Sequence, residues 1–317
     1  MKISLITPAG KQSRAGNRAT AVRWAKILRD LGHRVEVLTE SLNPNADMMI
    51  AIHAWRSLKS IKAFSDAYPD RPLIVLLAGT DIYHFQNSHP SETYESMERA
   101  SALVCLHDLV WRSIPEVFRT KLKVIYQSSD PLTVPRSPSK NRFELCVVGH
   151  LRDEKDSLRP ALAARLLPQN SRIRIVHLGK AHNAEWEEKV RLEASLNARF
   201  DWRGEVPRWS VRRQYQRSHA MIISSNMEGG ANVLSEAIVC GLPVIASDID
   251  GNIGLLGEDY EGYFRVRDEI DLAQTLGRAE NDINFLNKLE SQVISRQKLF
   301  QPELERRKWK ELIKSLS

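Results

Sequence analysis

The sequence predicts an α/β fold of two Rossmann-like domains facing a cleft, on three observations. Short apolar runs recur along two separate stretches, helix-compatible segments lie between the runs, and a proline-containing segment parts the two stretches. A chain of 317 residues exceeds the roughly 250–300 residues at which a single hydrophobic core stops growing, so each half can bury a core of its own.

In the first stretch KISLITP reads as a strand, and after the loop AGKQSRAGN the residues Ala21, Trp24, Ala25, Leu28 and Leu31 share one helical face that ends at Gly32. RVEVLTE, MMIAIHA, PLIVLLAG, ALVCLH and LKVIY follow as short apolar runs, the pattern of a parallel sheet covered on both faces. These make an N-terminal domain of residues 1–130. SSDPLTVPRSPSKN carries three prolines and disfavours helix, which places a linker at residues 131–141. FELCVVGHL, RIRIVHLG, FDWRGEV, AMIISS and LPVIASD, with helical segments between, make a second domain of residues 142–295. Beyond Tyr263 the periodicity is helical, and QPELERRKWKELIKSL is amphipathic, a terminal helix within residues 296–317 expected to cross back onto the first domain. Open sheets of this kind bind ligands at the carboxyl ends of their strands.

With 42% hydrophobic and 27% charged residues the composition is globular, and no apolar run approaches the roughly 20 residues of a membrane helix. MKISLITPAG leads directly into a helical pattern, so it reads as a buried strand rather than a signal peptide, and a cytoplasmic location is expected. Cys105, Cys146 and Cys240 lie far apart in apolar stretches without metal or redox spacing and read as small buried hydrophobes. The net charge of +7 could attract nucleic acid, anionic membrane or phosphorylated small molecules and does not choose among them; with neither an aromatic-rich basic cluster nor a nucleic-acid module, nucleic acid is the weakest of the three. Arg306, Arg307, Lys308 and Lys310 on the terminal helix make a weak membrane-docking candidate, and no stable membrane insertion is expected.

AMIISSNMEGGANVLSEAIVCGLPVIASD carries the clearest chemistry. It reads as strand, glycine loop, helix, Gly241 at the helix end, Pro243 and a second strand. A helix starting near Ala231 or Asn232 leaves unpaired N–H groups beside Gly229 and Gly230, a setting that suits a diphosphate. Glu228 precedes the helix while Asn232 and Glu236 lie four apart on one face, so two carboxylates and an amide can flank one ligand, and carboxylates grip sugar hydroxyls. Asp248 and Asp250 form a D-x-D, which elsewhere holds a divalent metal between phosphates; here it falls in a loop after VIAS, and no metal is expected.

E-G-G-A-N-V-L-S-E is similar to the E-x7-E motif of the family 4 glycosyltransferases, and V-V-G-H-L-R-D-E-K-D resembles that family's basic pair, giving Arg152 and Lys155. The resemblance implies the GT-B fold and a nucleotide-sugar donor. Arg152 and Lys155 would offset the diphosphate and stabilise the departing nucleotide. Glu236 would bind the ribose hydroxyls, Glu228 the sugar hydroxyls, and the backbone at Gly204, Glu205 and Val206 the base, implied to be uracil. Gly149, Gly229, Gly230, Ala231, Asn232 and Val233 complete the implied donor site.

In the first domain S-R-A-G-N-R places Ser13, Arg14, Gly16, Asn17 and Arg18 at a helix N-terminus, a setting for an anion. Only Gly10 and Gly16 are present, so the loop lacks the dinucleotide fingerprint G-x-G-x-x-G, and the glycine pair usual in family 4 is replaced by charge. Together with A-G-T-D-I-Y and G-N-I-G-L-L-G-E-D-Y-E-G-Y-F, the chain resembles the selenosugar synthases of selenoneine biosynthesis over most of its length. That resemblance implies transfer of a sugar from UDP-N-acetylglucosamine or UDP-glucose to the selenium of selenophosphate, giving a 1-selenosugar, UDP and phosphate, with Arg14 and Arg18 holding selenophosphate and Thr80 beside them. Loss of phosphate requires water, for which Asp81, His53 and His150 are candidate acids or bases by type and loop position. A family 4 transferase acting on a hydroxyl acceptor, and a non-catalytic nucleotide-sugar-binding regulator, are the alternative readings.

Overall fold

The computed structural model describes residues 1–13 and 16–316. Two compact units emerge: Met1–Ser128 together with Glu228–Asn232 and Gln301–Ser317, and Ser129–Met227 together with Val233–Phe300.

The first unit is built on six parallel strands, β1 (Lys2–Ile6), β2 (Arg34–Leu38), β3 (Met48–Ile52), β4 (Leu73–Leu76), β5 (Ala102–Cys105) and β6 (Leu122–Val124), in the order β2-β1-β3-β4-β5-β6. Ile3 pairs with Val35 on one side and Met48 on the other, and Ile50 pairs with Ile74. Alternate residues feed two cores, as a sheet covered on both faces requires. Ile3, Leu5, Ile50, Ile74 and Val104 pack with Trp24 and Leu28 of the Gly16–Asp30 helix. Met49, Val75 and Leu103 face the opposite way, against Phe64, Met97 and Phe118. The chain leaves β1 for β2 on one side and returns to β3 on the other, so the crevice of this sheet lies at the carboxyl ends of β1 and β3.

The terminal helix Pro302–Leu316 belongs to this unit, as its amphipathic pattern predicts. Trp309 meets Trp24 edge-on at 4.6 Å between ring centroids. Buried Glu305 accepts hydrogen bonds from Trp24 Nε1 at 3.0 Å and Ser128 N at 2.8 Å. Burial raises the Glu305 carboxyl above its ordinary range, and these donors with nearby Arg23 oppose that rise.

The second unit carries β7 (Phe143–Val148), β8 (Ile173–Leu178), β9 (Phe200–Trp202), β10 (Ala220–Ile223), β11 (Val244–Ser247) and β12 (Tyr263–Phe264), all parallel, in the order β12-β11-β10-β7-β8-β9. Its switch point falls between β7 and β10. β12 has two residues, paired Tyr263 with Ala246 and Phe264 with Ser247, too short for a periodicity signal. Helices Glu269–Asn281 and Ile283–Arg296 follow, capped by Asp268 and Asp282, whose carboxylates accept from the first-turn N–H groups. Residues 131–141 lie in the second unit, and Arg136 ties them down by donating to the carbonyls of Gly241, Ser218 and His219 and pairing with Glu290 at 2.8 Å.

Among the described residues, no helix is long and apolar enough to cross a membrane. All three cysteines are free and buried.

Candidate active site

In the second unit the residues expected to bind the donor follow the carboxyl ends of β7, β9 and β10. Gly149, His150, Lys155 and Val233 line one recess of about 290 Å³ together with Ser157, His177, Ser224 and Ser225. The loop after β7 is held open by a single turn, Asp153–Lys155, ended by Asp156 in the left-handed region at φ 43°. Ser224 Oγ donates to the Lys155 and Asp156 carbonyls at 3.1 and 3.0 Å, Asn226 N donates to Glu154 O at 2.8 Å, and Arg159 clasps Asp156 at 2.8 Å. Lys155 is therefore presented by a loop tied on both sides.

Arg152 is half-buried, and its Nε is buried with no hydrogen-bond partner among the described residues. A guanidinium N–H withdrawn from water in this way is a donor suited to an anionic oxygen. Burial lowers the His150 pKa first, and Arg152, Lys180 and Lys155 lower it further against the opposing pull of Glu205. Like charges gathered beside a neutral imidazole describe a positive field at the mouth of this recess. His150 Nδ1 accepts from Lys180 N at 3.1 Å, so the neutral ring carries its proton on Nε2 as a donor.

Behind this loop the packing is close. A Cβ at Gly179 would lie 1.7 Å from Gly149 O, so β7 and β8 end in backbone contact that admits only glycine. Buried His177 bonds Gly149 O through Nε2 at 3.0 Å, and burial pushes its pKa down to about 4. Gly204 adopts φ 65°, and its carbonyl accepts from Gly179 N at 2.8 Å, placing Gly204, Glu205 and Val206 in the loop after β9. On the Asn232–Val239 helix, Glu236 is half-buried and Tyr215 fixes its Oε2 at 3.1 Å. Gly241 at φ 63° ends this helix, with Leu242 N bonded to Ala237 O.

Asp248 accepts from Val266 N at 2.8 Å, and Asp250 opens the Asp250–Leu256 helix. Among the described residues, no group of three or more His, Cys, Asp or Glu is placed to hold a metal ion.

Residues 228–232 pack with the first unit. A Cβ on Gly79 would lie 2.4 Å from Gly229 N, and one on Gly229 would lie 2.3 Å from Gly79 N, so the two backbones touch. Gly230, at φ 123°, lies against Leu106. Glu228 and Ala231 are buried. Asn232 Oδ1 accepts from Arg23 at 2.7 Å.

At the crevice of the first unit, Gly16, Asn17 and Arg18 form the first turn of the Gly16–Asp30 helix, which carries no acidic residue there. No carboxylate of this first turn offsets the positive end of the helix dipole. Ser13 N closes the preceding turn on Gly10 O at 2.9 Å, and Arg14 lies outside the described residues.

Asp81, fully buried, accepts from Ala54 N and Ala78 N at 2.8 and 2.9 Å and from Trp55 N at 3.1 Å, and its Oδ1 lies 2.6 Å from His53 Nδ1. Asp81 opens a π-helical turn, Asp81–Phe85, and its carboxylate turns inward to the loop after β3. His53 is buried at φ 79°, a conformation costing of order 1–3 kcal/mol for a non-glycine residue, and its Nε2 meets Thr80 Oγ1 at 3.1 Å. Trp55 stacks on Phe85 at 4.0 Å beside them. Neither Trp55 nor Lys180 stands out in the sequence: each is one aromatic or basic residue after a strand, and only the fold brings it to the site.

The sequence profile of the glycosyl transferases group 1 matches residues 133–296, just over half the chain. The chain belongs to this family. Group 1 membership is carried by the second unit and the segment threaded into the first. Over 149 residues the chain is 29% identical to the phosphatidylinositol N-acetylglucosaminyltransferase gpi3 subunit of Schizosaccharomyces pombe, covering 47% of this chain and 32% of that protein. The chain thus spans about a third of the length of that curated relative. Crystal structures resemble this group 1 protein over nearly its whole length. HepE of Anabaena, solved in complex with UDP and glucose, superposes with a TM-score of 0.80 at 16% identity, covering 99% of this chain and 100% of that one. Sucrose-phosphate synthase of Thermosynechococcus elongatus gives 0.79 at 15% identity, covering 99% and 98%. At such identities the likeness establishes the GT-B fold.

Proposed function

We propose that this group 1 protein is a UDP-sugar-dependent selenosugar synthase, transferring N-acetylglucosamine or glucose from UDP to the selenium of selenophosphate and releasing UDP and phosphate. The observation that carries the donor half is the tied loop at the β7–β10 switch point, with Lys155 in the recess and Arg152 Nε withdrawn from water beside it. Both cations suit a diphosphate, and Glu236, held by Tyr215, suits a ribose diol. HepE is solved with UDP and with UDP-glucose, and the gpi3 relative is named for N-acetylglucosamine; both names agree with a UDP-sugar donor.

In the transfer, selenium attacks the anomeric carbon, the carbon–oxygen bond breaks, and its electron pair leaves on the diphosphate oxygen. Arg152 and Lys155 stabilise that developing charge, a contribution typically of 10²–10³ in rate for one well-placed donor. Selenophosphate arrives as an anion, so positioning matters more than a strong base at this step. The acceptor half rests on the Asn17–Arg18 helix start with its acid-free first turn, on Thr80, and on the loop that includes Arg14. Water then cleaves the phosphorus–selenium bond. The reading includes no metal, since the cations of the loop supply the charge, and EDTA is expected to leave the rate unchanged.

The test is UDP release from UDP-N-acetylglucosamine under anaerobic conditions with selenophosphate, inorganic phosphate or a hydroxyl acceptor. Release that requires selenophosphate, and that falls in Arg18→Ala chiefly through the selenophosphate KM, supports the reading. Release only with a hydroxyl acceptor retains the transferase and removes the selenium assignment. Absence of UDP binding leaves a non-transferase.

A further inference from the structure

Thr80, His53 and Asp81 form a chain of hydrogen bonds that simple substrate binding does not require. Asp81 Oδ1 lies 2.6 Å from His53 Nδ1, and His53 Nε2 lies 3.1 Å from Thr80 Oγ1. Three backbone N–H groups hold the Asp81 carboxylate in place, from Ala54, Trp55 and Ala78. His53 and Asp81 are 1% and 0% exposed, whereas Thr80 is half-exposed, so Thr80 is the member of the chain that a ligand reaches. Nδ1 lies nearer the Asp81 carboxylate, at 2.6 Å, than Arg56 N, at 3.3 Å, so Nδ1 carries the proton toward Asp81 and Nε2 accepts from the Thr80 hydroxyl. The strained backbone at His53, φ 79°, aims the ring at this junction.

The position of the chain is also informative. His53 follows β3 and Thr80 follows β4, adjacent strands at the carboxyl edge where β1 ends and the Gly16–Asp30 helix begins. Gly79, immediately before Thr80, touches the backbone of Gly229. A hydroxyl backed by an imidazole and a carboxylate is an arrangement that moves a proton.

We propose that Thr80 Oγ1 takes the proton of the water that cleaves phosphorus from selenium, with His53 and Asp81 positioning and discharging it. The inference rests on the selenophosphate reading above. Water oxygen bonds to phosphorus and gives its proton to Thr80 Oγ1, while the proton of Thr80 passes to His53 Nε2. The phosphorus–selenium bond breaks, its electron pair leaves on selenium, and the selenolate of the sugar and inorganic phosphate depart. The imidazolium is held by Asp81 until it returns the proton to solvent or product. Thr80 is the catalytic residue of this step; His53 and Asp81 act through it.

The test compares Thr80→Val, Thr80→Ser and His53→Asn with the wild type, measuring phosphate and UDP released from UDP-N-acetylglucosamine and selenophosphate in the same reaction. Asparagine tolerates the left-handed backbone at position 53. The wild-type ratio of phosphate to UDP is expected to be one. In Thr80→Val the ratio falls at least tenfold, and a product heavier than the selenosugar by one phosphoryl group accumulates. Thr80→Ser restores the ratio and His53→Asn behaves as Thr80→Val; if His53→Asn fails to fold, the serine–valine pair decides alone. An unchanged ratio in Thr80→Val overturns the proposal. Should the wild type not consume selenophosphate, the function reading fails separately. The relay is then judged on hydrolysis of UDP-N-acetylglucosamine, where Thr80→Val at least tenfold slower than Thr80→Ser supports it, and equal rates or no hydrolysis overturn it.

Discussion

Lys155 and His177 line one recess, the first partly exposed and the second buried. Lys155→Ala removes charge from the transition state, and kcat for UDP release is expected to fall by about 10²-fold with a smaller change in donor KM. His177 gives a pH prediction. Burial depresses its folded pKa from the ordinary 6.5 to about 4, so between those values the unfolded chain holds a proton that the folded protein does not. Stability is full above pH 6.5 and falls as pH drops towards 4. Between pH 7 and pH 5 the loss is about 2 kcal/mol, from linkage. His177→Gln, whose amide can donate to Gly149 O, is expected to flatten this slope in denaturant titrations at the two pH values. That Arg152 and Lys155 share the loop after β7 was legible in sequence because V-V-G-H-L-R-D-E-K-D is contiguous. His177, Lys180 and Gly179 were not, because their roles exist only against Gly149 and His150 on a neighbouring strand.

Among the elements, the runs that read clearly as strands were those buried on both faces, such as Met48–Ile52 and Phe143–Val148, where every residue or nearly every residue is apolar or enclosed. β12 escaped because two residues carry no period, and the π-helical turn at Asp81–Phe85 because its hydrogen bonds answer to the loop after β3. The glycine loop read correctly as a helix start at Asn232, yet its packing with the first unit depends on Gly79, about 150 residues away. Gly79→Ala would set a Cβ 2.4 Å from a backbone nitrogen that no side-chain rotation relieves. A clear fall in melting temperature is expected together with loss of turnover; a variant as stable and active as wild type would show that this contact is dispensable. The Trp24–Trp309 pair anchors the terminal helix, and Trp309→Ala is expected to cost about 3–5 kcal/mol, read from chemical unfolding.

For the molecule as a whole, the family match lies in residues 133–296, and the donor half of the reading therefore has the firmer sequence basis. The acceptor half depends on which side chains occupy the loops after β1 and β4, and no periodicity dictates those. The charge at Arg18 and the Thr80–His53–Asp81 chain were visible as residue types, while their grouping required the strand order β1-β3-β4. The proposed reaction turns on a bond between a sugar's anomeric carbon and selenium. It is tested most directly by incubating the protein with UDP-N-acetylglucosamine labelled with ¹³C in the sugar and freshly made selenophosphate, then examining products by mass spectrometry. One product that carries both the ¹³C shift and the selenium isotope envelope is expected, formed in equal amount with UDP. UDP released with the label confined to free sugar or an oxygen-linked product would contradict it.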